Sequence, residues 1–345
     1  MKLLLAFLLV NLFLINDPFA QTIYVAPNGS DQNPGTAEQP LATLTAAIDR
    51  IRLLRKQNPS AQHAWQVIIR KGEYIMPETL NLSVDDSGTE TSPLLFKGEE
   101  GAMPVFYGGF FLNKFERISD SLWKTDVPQV RRYGWRFEQL YVNGSRAIRA
   151  QSPNVGFYKP VSVKETVIVN GDGRAPELAV QQIKIPAEAA NRIKNLNEED
   201  LKDAVITFYH HWDNTKKPVQ FYNAADTSIY ISGEGMKPWN PVTTASLFAI
   251  ENVSSALNAP GEWFLESSGT LYYYPKPGET IETTTAMAPA LDKFITLSGN
   301  AATGEKIKNI RFENISFRVA GYRMPAGGVE PAQSAAPIAA VIELD

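Results

Sequence analysis

Short apolar runs recur in two separate parts of the chain, and both sets have the length and composition of β-strands. The runs are 67–69, 80–82, 94–96 and 105–107 in the first part, and 294–297, 310–312, 315–317 and 342–344 in the last. Val67 and Leu94 are 27 residues apart, and Ile295 and Ile342 are 47 apart. Such spacings correspond to one and two coils of a repeated β structure. The two parts are therefore predicted to stack as one parallel solenoid.

An amphipathic helix is predicted before the first set of strands. Its apolar positions recur at helical spacing and are Leu44, Ala47, Ile48, Ile51 and Leu54. Thr43 can cap the helix, because a threonine hydroxyl accepts a hydrogen bond from a backbone N–H of the first turn. A helix with one apolar face can cover the open end of a first coil, which otherwise exposes unpaired backbone groups. We expect it to be the N-terminal cap of the solenoid.

The pattern changes between 115 and 285, where antiparallel hairpins are predicted. Asn143 and Gly144 stand between two short apolar runs, which is a strong hairpin signal, and 267–269 is a second turn of this kind. The predicted fold is therefore all-β. It is a right-handed parallel β-helix with an N-terminal capping helix, interrupted by an inserted antiparallel β-sandwich.

On this pattern the chain divides into four segments. They are a signal peptide at 1–20, the N-terminal cap and first coils at 21–114, the inserted β-sandwich at 115–285, and the resumed coils at 286–345. The first segment has Lys2, an apolar run at 3–15 and the small residue Ala20 before the predicted cleavage site. That run is shorter than the ~20 residues that span a membrane. We expect a periplasmic or extracellular protein with no membrane span after cleavage. No capping element follows the last strand, so the chain is expected to be the N-terminal portion of a longer β-helix.

The composition argues against several classes of function. The 33 Lys and Arg are scattered among 37 Asp and Glu, so no basic stripe for nucleic acid is present. The chain has no cysteine, which excludes disulfides, thiolate catalysis and zinc–thiolate sites. Asp85, Asp86 and Glu90 form a short acidic run beside Ser87 and Gly88, a pattern more typical of a turn than of a calcium site. We expect no metal, no organic cofactor and a monomer.

Six pieces of the sequence, taken in order, resemble glycoside hydrolase family 141. They are IYVAPNGSD, QPLATLTAAIDRIR, LYVNGSRAIRAQSPN, VITFYHHWDN, GEWFLESSGTLYYYPKPGE and the pair LDKFITLSG with IKNIRFENISF. The resemblance covers nearly the whole chain after residue 20, and HHWD and GEWFLE are its most specific motifs. It implies hydrolysis of glycosidic bonds in plant cell-wall polysaccharide, with α-L-fucosidase and xylanase activities both represented. It also implies that the catalytic aspartates lie on later coils, C-terminal to Asp345, so no catalytic residue is assigned here.

The densest polar cluster is a group of candidate substrate-binding residues. It consists of His210, His211, Trp212 and Asp213. A histidine can bond sugar hydroxyls, and an indole offers a flat apolar face to a pyranose ring. In this hypothesis the four residues lean over a cleft between the insert and the β-helix. In the alternative, Trp212 fills the core of the sandwich and one histidine bonds a backbone carbonyl.

A second group of candidates follows the NIRFENISF strand. Arg318 and Tyr322 can meet an acidic or hydroxylated sugar there, because sites usually lie on loops over a rigid scaffold. Arg323 belongs to the same group, and Trp135, Arg136 and Glu138 are weaker candidates. Glu313 and Glu343 on predicted β-helix strands, and Asp345 after a strand, are carboxylates that can face outward where a sugar would lie. For all of these residues the alternative is an ordinary solvated surface position.

Two other functions fit the same predicted scaffold. A polysaccharide lyase or epimerase must neutralise a uronate carboxylate, usually with calcium, and needs an Arg or Lys base. A non-catalytic β-helix protein would bind glycan without turnover. Fold does not decide among the three functions, so the glycoside hydrolase hypothesis rests on the resemblance.

Overall fold

The computed structural model describes residues 21–58, 64–112, 114–173, 175–331 and 340–344. The predicted signal peptide and Asp345 lie outside the described residues. The elements of the first part are β1 (Gln21–Val25), α1 (Leu44–Gln57), β2 (Trp65–Ile69), β3 (Glu73–Ile75), β4 (Leu80–Ser83), β5 (Leu94–Gly98) and β6 (Val105–Tyr107).

The middle part is richer in elements and contains the short helices. They are β7 (Gly109–Phe111), β8 (Glu116–Ser119), β9 (Leu122–Asp126), α2 (Pro128–Tyr133), β10 (Tyr141–Val142), β11 (Ser145–Arg146), β12 (Ile148–Arg149), β13 (Gln151–Ser152), β14 (Ser162–Val169), β15 (Leu178–Lys184), α3 (Ala187–Ile193), α4 (Glu198–Asp203), β16 (Val205–Tyr209), β17 (Asn214–Pro218), β18 (Phe221–Asn223), β19 (Ser228–Gly233), β20 (Leu247–Glu251), β21 (Glu262–Leu265), β22 (Thr270–Tyr273) and β23 (Ala286–Pro289). The last part contains β24 (Ile295–Ser298), β25 (Ile310–Glu313), β26 (Ser316–Arg318) and β27 (Ile342–Leu344). Among the described residues no helix is long and apolar enough to cross a membrane.

Three parallel sheets join the first and last parts of the chain. Their strand orders are β1-β2-β5-β25, β27-β24-β4 and β26-β6-β3. Each sheet thus contains strands from both sides of the middle part. The register places Phe312 beside Phe96 and Phe317 beside Phe106, so like side chains form ladders inside the structure. The Phe96 and Phe312 rings are stacked with centroids 4.8 Å apart. The predicted parallel pairing of the two sets of strands is confirmed.

Asparagines occupy the bends beside the strands β25 and β26. Asn309 and Asn314 have φ values of 56° and 55°. Asparagine enters this left-handed region more readily than other residues with a side chain. The Asn309 side chain also donates a hydrogen bond to the Gly88 carbonyl at 3.2 Å, which links two neighbouring bends.

Helix α1 has the predicted cap and the predicted apolar face. Thr43 Oγ1 accepts a hydrogen bond from the Ala46 N–H at 3.1 Å. The buried side chains of α1 are Leu44, Ala47, Ile48 and Ile51. They belong to the same hydrophobic core as the parallel strands, and the helix contacts β1 and β4.

A buried ion pair anchors α1 to the turn after β4. Arg52 Nε and Nη2 donate to the two oxygens of Asp86 at 2.9 and 2.7 Å, and the Asp86 side chain has no exposed surface. Asp86 also accepts a hydrogen bond from the Ser83 N–H at 2.8 Å. The acidic run at 85–90 therefore begins in a turn, as predicted, and its buried carboxylate holds the helix in place.

Replacing Thr43 by alanine is expected to lower the free energy of unfolding by about 1 kcal/mol, because the Ala46 N–H loses its acceptor. Urea unfolding followed by circular dichroism measures the change. Thr45→Ala in the same first turn is the matched control, since Thr45 has no capping role. Equal losses in the two variants would contradict the capping assignment.

The middle part pairs mostly in antiparallel fashion, as predicted. Its sheets have the orders β11-β10-β23-β7, β12-β21-β22-β9-β8, β13-β20-β16-β17 and β14-β15-β19-β18. The hairpin β10–β11 turns at Asn143 and Gly144, whose φ values are 49° and 75°. One pair, β12 with β21, is parallel.

Two hydrophobic cores, rather than one, fill the middle part. Side chains of β15, β16, β19 and β20 form the first with α3, and Phe208 and Phe248 are fully buried there. The second core contains Trp123, Trp263 and Tyr273. Strands β7 and β23 bring the two ends of the middle part together, with Gly109 opposite Pro289.

Candidate functional site

A cleft of about 600 Å³ opens where the middle part meets the loop after β26. We call it the central cleft. Its lining residues come from helix α2 and the segment after it, from the ends of β12 and α4, and from the loop at 323–326. The cleft thus draws on parts of the chain that are far apart in sequence.

Aromatic rings form one wall of the central cleft. Phe110, Tyr133 and Trp135 all line it. Helix α2 ends at Gly134, whose φ of 61° lets the chain turn sharply and return as Trp135. The Phe110 and Trp135 rings meet edge to face with centroids 6.0 Å apart, and Phe137 supports Trp135 from behind at 4.9 Å. Phe110 and Tyr133 are exposed, so flat apolar surface is open to a ligand.

Charged side chains line the floor of the cleft. Arg136 Nε donates to Asp203 Oδ1 at 3.2 Å, and both residues face the cleft. Burial raises the pKa of Asp203, although the nearby Arg136 opposes this shift. Glu138 accepts a hydrogen bond from the Met324 N–H at 2.6 Å, which ties the loop after β26 to the middle part.

Arg149 is the last residue of β12 and also lines the cleft. Its guanidinium carbon is 5.8 Å from the centre of the Trp263 ring, so the cation lies over an aromatic face. Its Nε and Nη1 are buried and have no hydrogen-bond partner within the described parts of the chain. Burial lowers the pKa of Arg149, and the carboxylates of Glu251, Glu138 and Asp203 act in the opposite direction.

A second cavity of about 390 Å³ adjoins the central cleft and shares Glu138 and Arg149 with it. There Lys216 Nζ donates to Glu251 Oε2 at 3.0 Å and lies 3.3 Å from Glu138 Oε2. Thr207 Oγ1 donates to the other oxygen of Glu251 at 2.9 Å. Burial alone would raise the pKa of Glu251, but Lys216 and Arg149 outweigh it and hold that pKa below its usual range.

Tyr322 and Arg323 are the candidates of the second predicted group that lie at these cavities. Tyr322 lines the adjoining cavity, and its backbone N–H donates to Gln139 Oε1 at 2.9 Å. Burial and the nearby Glu138 raise the pKa of the Tyr322 phenol. Arg323 lines the central cleft, together with the weaker candidates Trp135, Arg136 and Glu138.

The predicted cluster at 210–213 lies elsewhere, in the turn between β16 and β17, and lines neither cavity. His210 Nε2 is 2.8 Å from Thr215 Oγ1, and the backbone of Pro241 also forms a hydrogen bond with the imidazole. Trp212 does not fill a core, because 48% of it is exposed, and His211 is exposed beside it. Asp213 has a fully buried side chain that forms an ion pair with Lys237.

The remaining candidates are on the parallel sheets. Arg318 is exposed on β26, and its Nε donates to Ser316 Oγ at 3.3 Å. Glu313 is exposed on β25. Glu343 on β27 forms an ion pair with Lys293. None of these three residues lines the central cleft.

Six charged residues of the two cavities were not candidates from the sequence. They are Arg146, Arg149, Lys202, Asp203, Lys216 and Glu251. Arg146 and Arg149 lie within the LYVNGSRAIRAQSPN piece quoted above, which was an available signal. The other four lie on α4, β17 and β20, outside the quoted pieces. Among the described residues no group of three or more His, Asp or Glu is placed to hold a metal ion.

The middle part is glycoside hydrolase-like. Residues 120–276 match the family model described as the GH141 insertion domain. This range lies inside the 115–285 segment and includes Trp135, Arg136, Glu138, Arg149 and Asp203 of the central cleft. A solved structure named "Glycoside hydrolase" superposes with a TM-score of 0.71 and 26% sequence identity. The superposition covers 88% of this chain and 51% of that chain.

Two curated proteins are also similar over part of the chain. "Uncharacterized protein YwoF" of Bacillus subtilis (strain 168) is 35% identical over 108 residues, which is 31% of this chain and 19% of that protein. "Pectate lyase PEL9" of Emericella nidulans is 26% identical over 150 residues, which is 42% of this chain and 33% of that protein. The chain thus spans about half the length of the solved glycoside hydrolase and a third or less of the two curated proteins.

Proposed function

We propose that this protein is a glycan-active enzyme of the glycoside hydrolase type and that the central cleft binds its substrate. The observation that carries the proposal is the combination of an aromatic wall with charged hydrogen-bonding groups in one cleft. An aromatic face packs on the apolar C–H face of a pyranose, while arginine and carboxylate groups bond its hydroxyls. The family-model match and the 0.71 TM-score of the "Glycoside hydrolase" structure support the reaction class.

The scaffold in this proposal is a right-handed parallel β-helix with the middle part inserted into it. Three sheets that each pair strands in parallel support the coil. A connection between parallel strands of one sheet is right-handed in about 98% of cases. The proposed division is a capping and first-coil segment at 21–114, an insert at 115–285 and resumed coils from 286 to 345.

The substrate in this proposal is plant cell-wall polysaccharide, with a fucosidase-like or xylanase-like specificity. Hydrolysis of a glycosidic bond needs two carboxyl groups on either side of the scissile bond. The resemblance of the sequence to family 141 assigns neither of these carboxyl groups to a residue of the central cleft. The central cleft then holds the glycan rather than breaking it. We further propose that the protein is exported and acts as a monomer in the periplasm or outside the cell, as the signal-peptide pattern at 1–20 supports.

The activity is tested with the full-length product of the gene. A panel of plant cell-wall polysaccharides is incubated with it, and the products are analysed by mass spectrometry. Release of reducing sugars with saturated ends supports a hydrolase. Unsaturated products whose formation stops when a chelator is added would favour a lyase, the activity named in the Emericella nidulans relative. Glycan binding without products would favour a non-catalytic role.

The role of the cleft is tested by removing its central aromatic side chain. Trp135→Ala is expected to weaken oligosaccharide binding by about 3- to 10-fold, since one aromatic contact contributes about 0.5–1.5 kcal/mol. Isothermal titration calorimetry measures the affinity. Trp239→Ala is the matched control, because Trp239 is 46% exposed and lines neither cavity. Trp212→Ala measures the contribution of the 210–213 turn, and a larger loss there than in Trp135→Ala would move the proposed site to that turn.

A further inference from the structure

Two donor atoms of Arg149 are buried and lack acceptors. They are Nε and Nη1, which have no hydrogen-bond partner within the described residues, and the guanidinium carbon lies 5.8 Å from the centre of the Trp263 ring. A buried charged donor without an acceptor is strongly unfavourable, and such groups in native proteins generally meet water, an ion or a ligand. Arg149 lines both cavities, so a ligand that enters either cavity can supply the missing acceptor.

The carboxylates nearest to Arg149 make their close contacts with other groups. Glu251 accepts hydrogen bonds from Lys216 at 3.0 Å and from a threonine hydroxyl at 2.9 Å. Glu138 accepts from a backbone N–H at 2.6 Å and lies 3.3 Å from Lys216. Asp203 accepts from Arg136 at 3.2 Å. All three attract the Arg149 cation through space, but none of them fills its hydrogen bonds.

The two cavities have an excess of positive charge. Their cationic residues are Arg136, Arg146, Arg149, Lys202, Lys216 and Arg323. Their carboxylates are Asp203, Glu138 and Glu251. The whole chain, in contrast, has a formal net charge of −4. A cavity with a local excess of one charge attracts ligands of the opposite charge.

We propose that Arg149 is the anion subsite of the central cleft and binds the carboxylate of a uronic acid residue in the glycan. This inference rests on the proposed function, because it names the class of sugar that the same cleft takes. The Arg149 guanidinium is planar and lies over the Trp263 ring, with its carbon 5.8 Å from the ring centre, and its donors point along its own plane. A carboxylate oxygen accepts hydrogen bonds from donors in such a plane, a geometry that the lysine ammonium does not reproduce. The aromatic wall formed by Phe110, Tyr133 and Trp135 holds the sugar ring beside it.

The test compares ligands that differ only in the acidic group. Trimers of galacturonic acid and of galactose differ only at C6, and a sulfated galactose trimer carries another anion. Binding to the protein is measured by isothermal titration calorimetry at low and at high salt. The galacturonate trimer is expected to bind about tenfold more tightly than the galactose trimer. The preference should shrink with salt, because charge attraction is screened.

Variants of Arg149 assign the preference to this residue. Arg149→Gln is expected to make the acidic and neutral trimers bind equally. Arg149→Lys keeps the charge but not the planar donors, and it should retain only part of the preference. Arg117→Gln is the matched control, because Arg117 is an exposed arginine of β8 that lines neither cavity. If Arg149→Gln does not fold, the comparison of ligands on the unmodified protein and on Arg149→Lys still tests whether Arg149 binds the uronate.

The outcomes separate this inference from the proposed function. Equal binding of acidic and neutral trimers would overturn the uronate subsite and leave the glycan-binding cleft standing. Tighter binding of the sulfated trimer than of the galacturonate trimer would overturn the uronate assignment in favour of a sulfate ester. A uronate preference that persists in Arg149→Gln would overturn the role of Arg149. Failure of every trimer to bind would count against the cleft itself, and with it the proposed function.

Discussion

Replacing Asp213 by alanine is expected to lower the free energy of unfolding by about 3–5 kcal/mol, because a buried cation then loses its closest partner. The Asp213 side chain is fully buried and forms an ion pair with Lys237, of whose side chain only 3% is exposed. Asn240 donates to the other Asp213 oxygen at 2.6 Å and loses its acceptor as well. Glu330, 3.5 Å from the Lys237 ammonium, compensates only part of the charge.

Chemical unfolding monitored by tryptophan fluorescence measures this loss. His211→Ala is the matched control, since His211 is exposed in the same turn and its removal should change stability by less than about 0.5 kcal/mol. A loss below about 1 kcal/mol for Asp213→Ala would mean that other groups hold the lysine. The expected result makes Asp213 a structural residue, although it lies in the most polar cluster of the sequence.

The replacement Phe96→Ala is expected to lower the free energy of unfolding by about 3–5 kcal/mol, the range found when a buried aromatic side chain is replaced by alanine. Phe96 is fully buried on β5, and its ring stacks on that of Phe312 at 4.8 Å. Phe312 belongs to β25, beyond the middle part, so the contact joins the two sets of parallel strands. Phe221→Ala is the control, because Phe221 is 57% exposed on β18.

A double-mutant cycle tests whether this ring pair is a direct link. The losses of Phe96→Ala and Phe312→Ala should fall short of additivity by about 0.5–1.5 kcal/mol, the coupling typical of aromatic pairs. Strictly additive losses would show that each ring packs independently of the other. Thermal unfolding by calorimetry also shows whether the first and last parts of the chain melt together.

The parallel pairing could be predicted from the sequence because its signals are local and repeated. Apolar runs return at the spacing of a coil, and Asn309 and Asn314 mark the bends with left-handed dihedrals. The cap at Thr43 could be predicted for the same reason, since its acceptor and donor lie three residues apart. Helices α2 to α4 have six or seven residues each, which is too short for a clear helical period.

The candidate site could be predicted only in part, because its residues meet through tertiary contacts. Arg149 and Glu251 are on separate strands about a hundred residues apart, and nothing in either neighbourhood indicates the other. The polar residues at 210–213 are close in sequence, but they lie in a turn outside the two cavities. Asp213 forms an ion pair with Lys237, which is 24 residues further along the chain. This distant partner could not be predicted from the motif itself. Tyr322 and Arg323 were found because they directly follow a predicted strand.

The way in which the middle part begins and ends has a consequence for the order of folding. Strand β4 has to pair with β24, and Thr79 Oγ1 bonds the Lys293 carbonyl across 214 positions of sequence. Closing so long a flexible loop costs roughly 5 kcal/mol in chain entropy. When the middle part folds first, its β7–β23 pair holds Gly109 opposite Pro289 and removes most of that distance. In this order of folding, the edges of β4 and β5 that pair with β24 and β25 stay open until the middle part is complete. Open strand edges favour aggregation of a nascent chain at that stage.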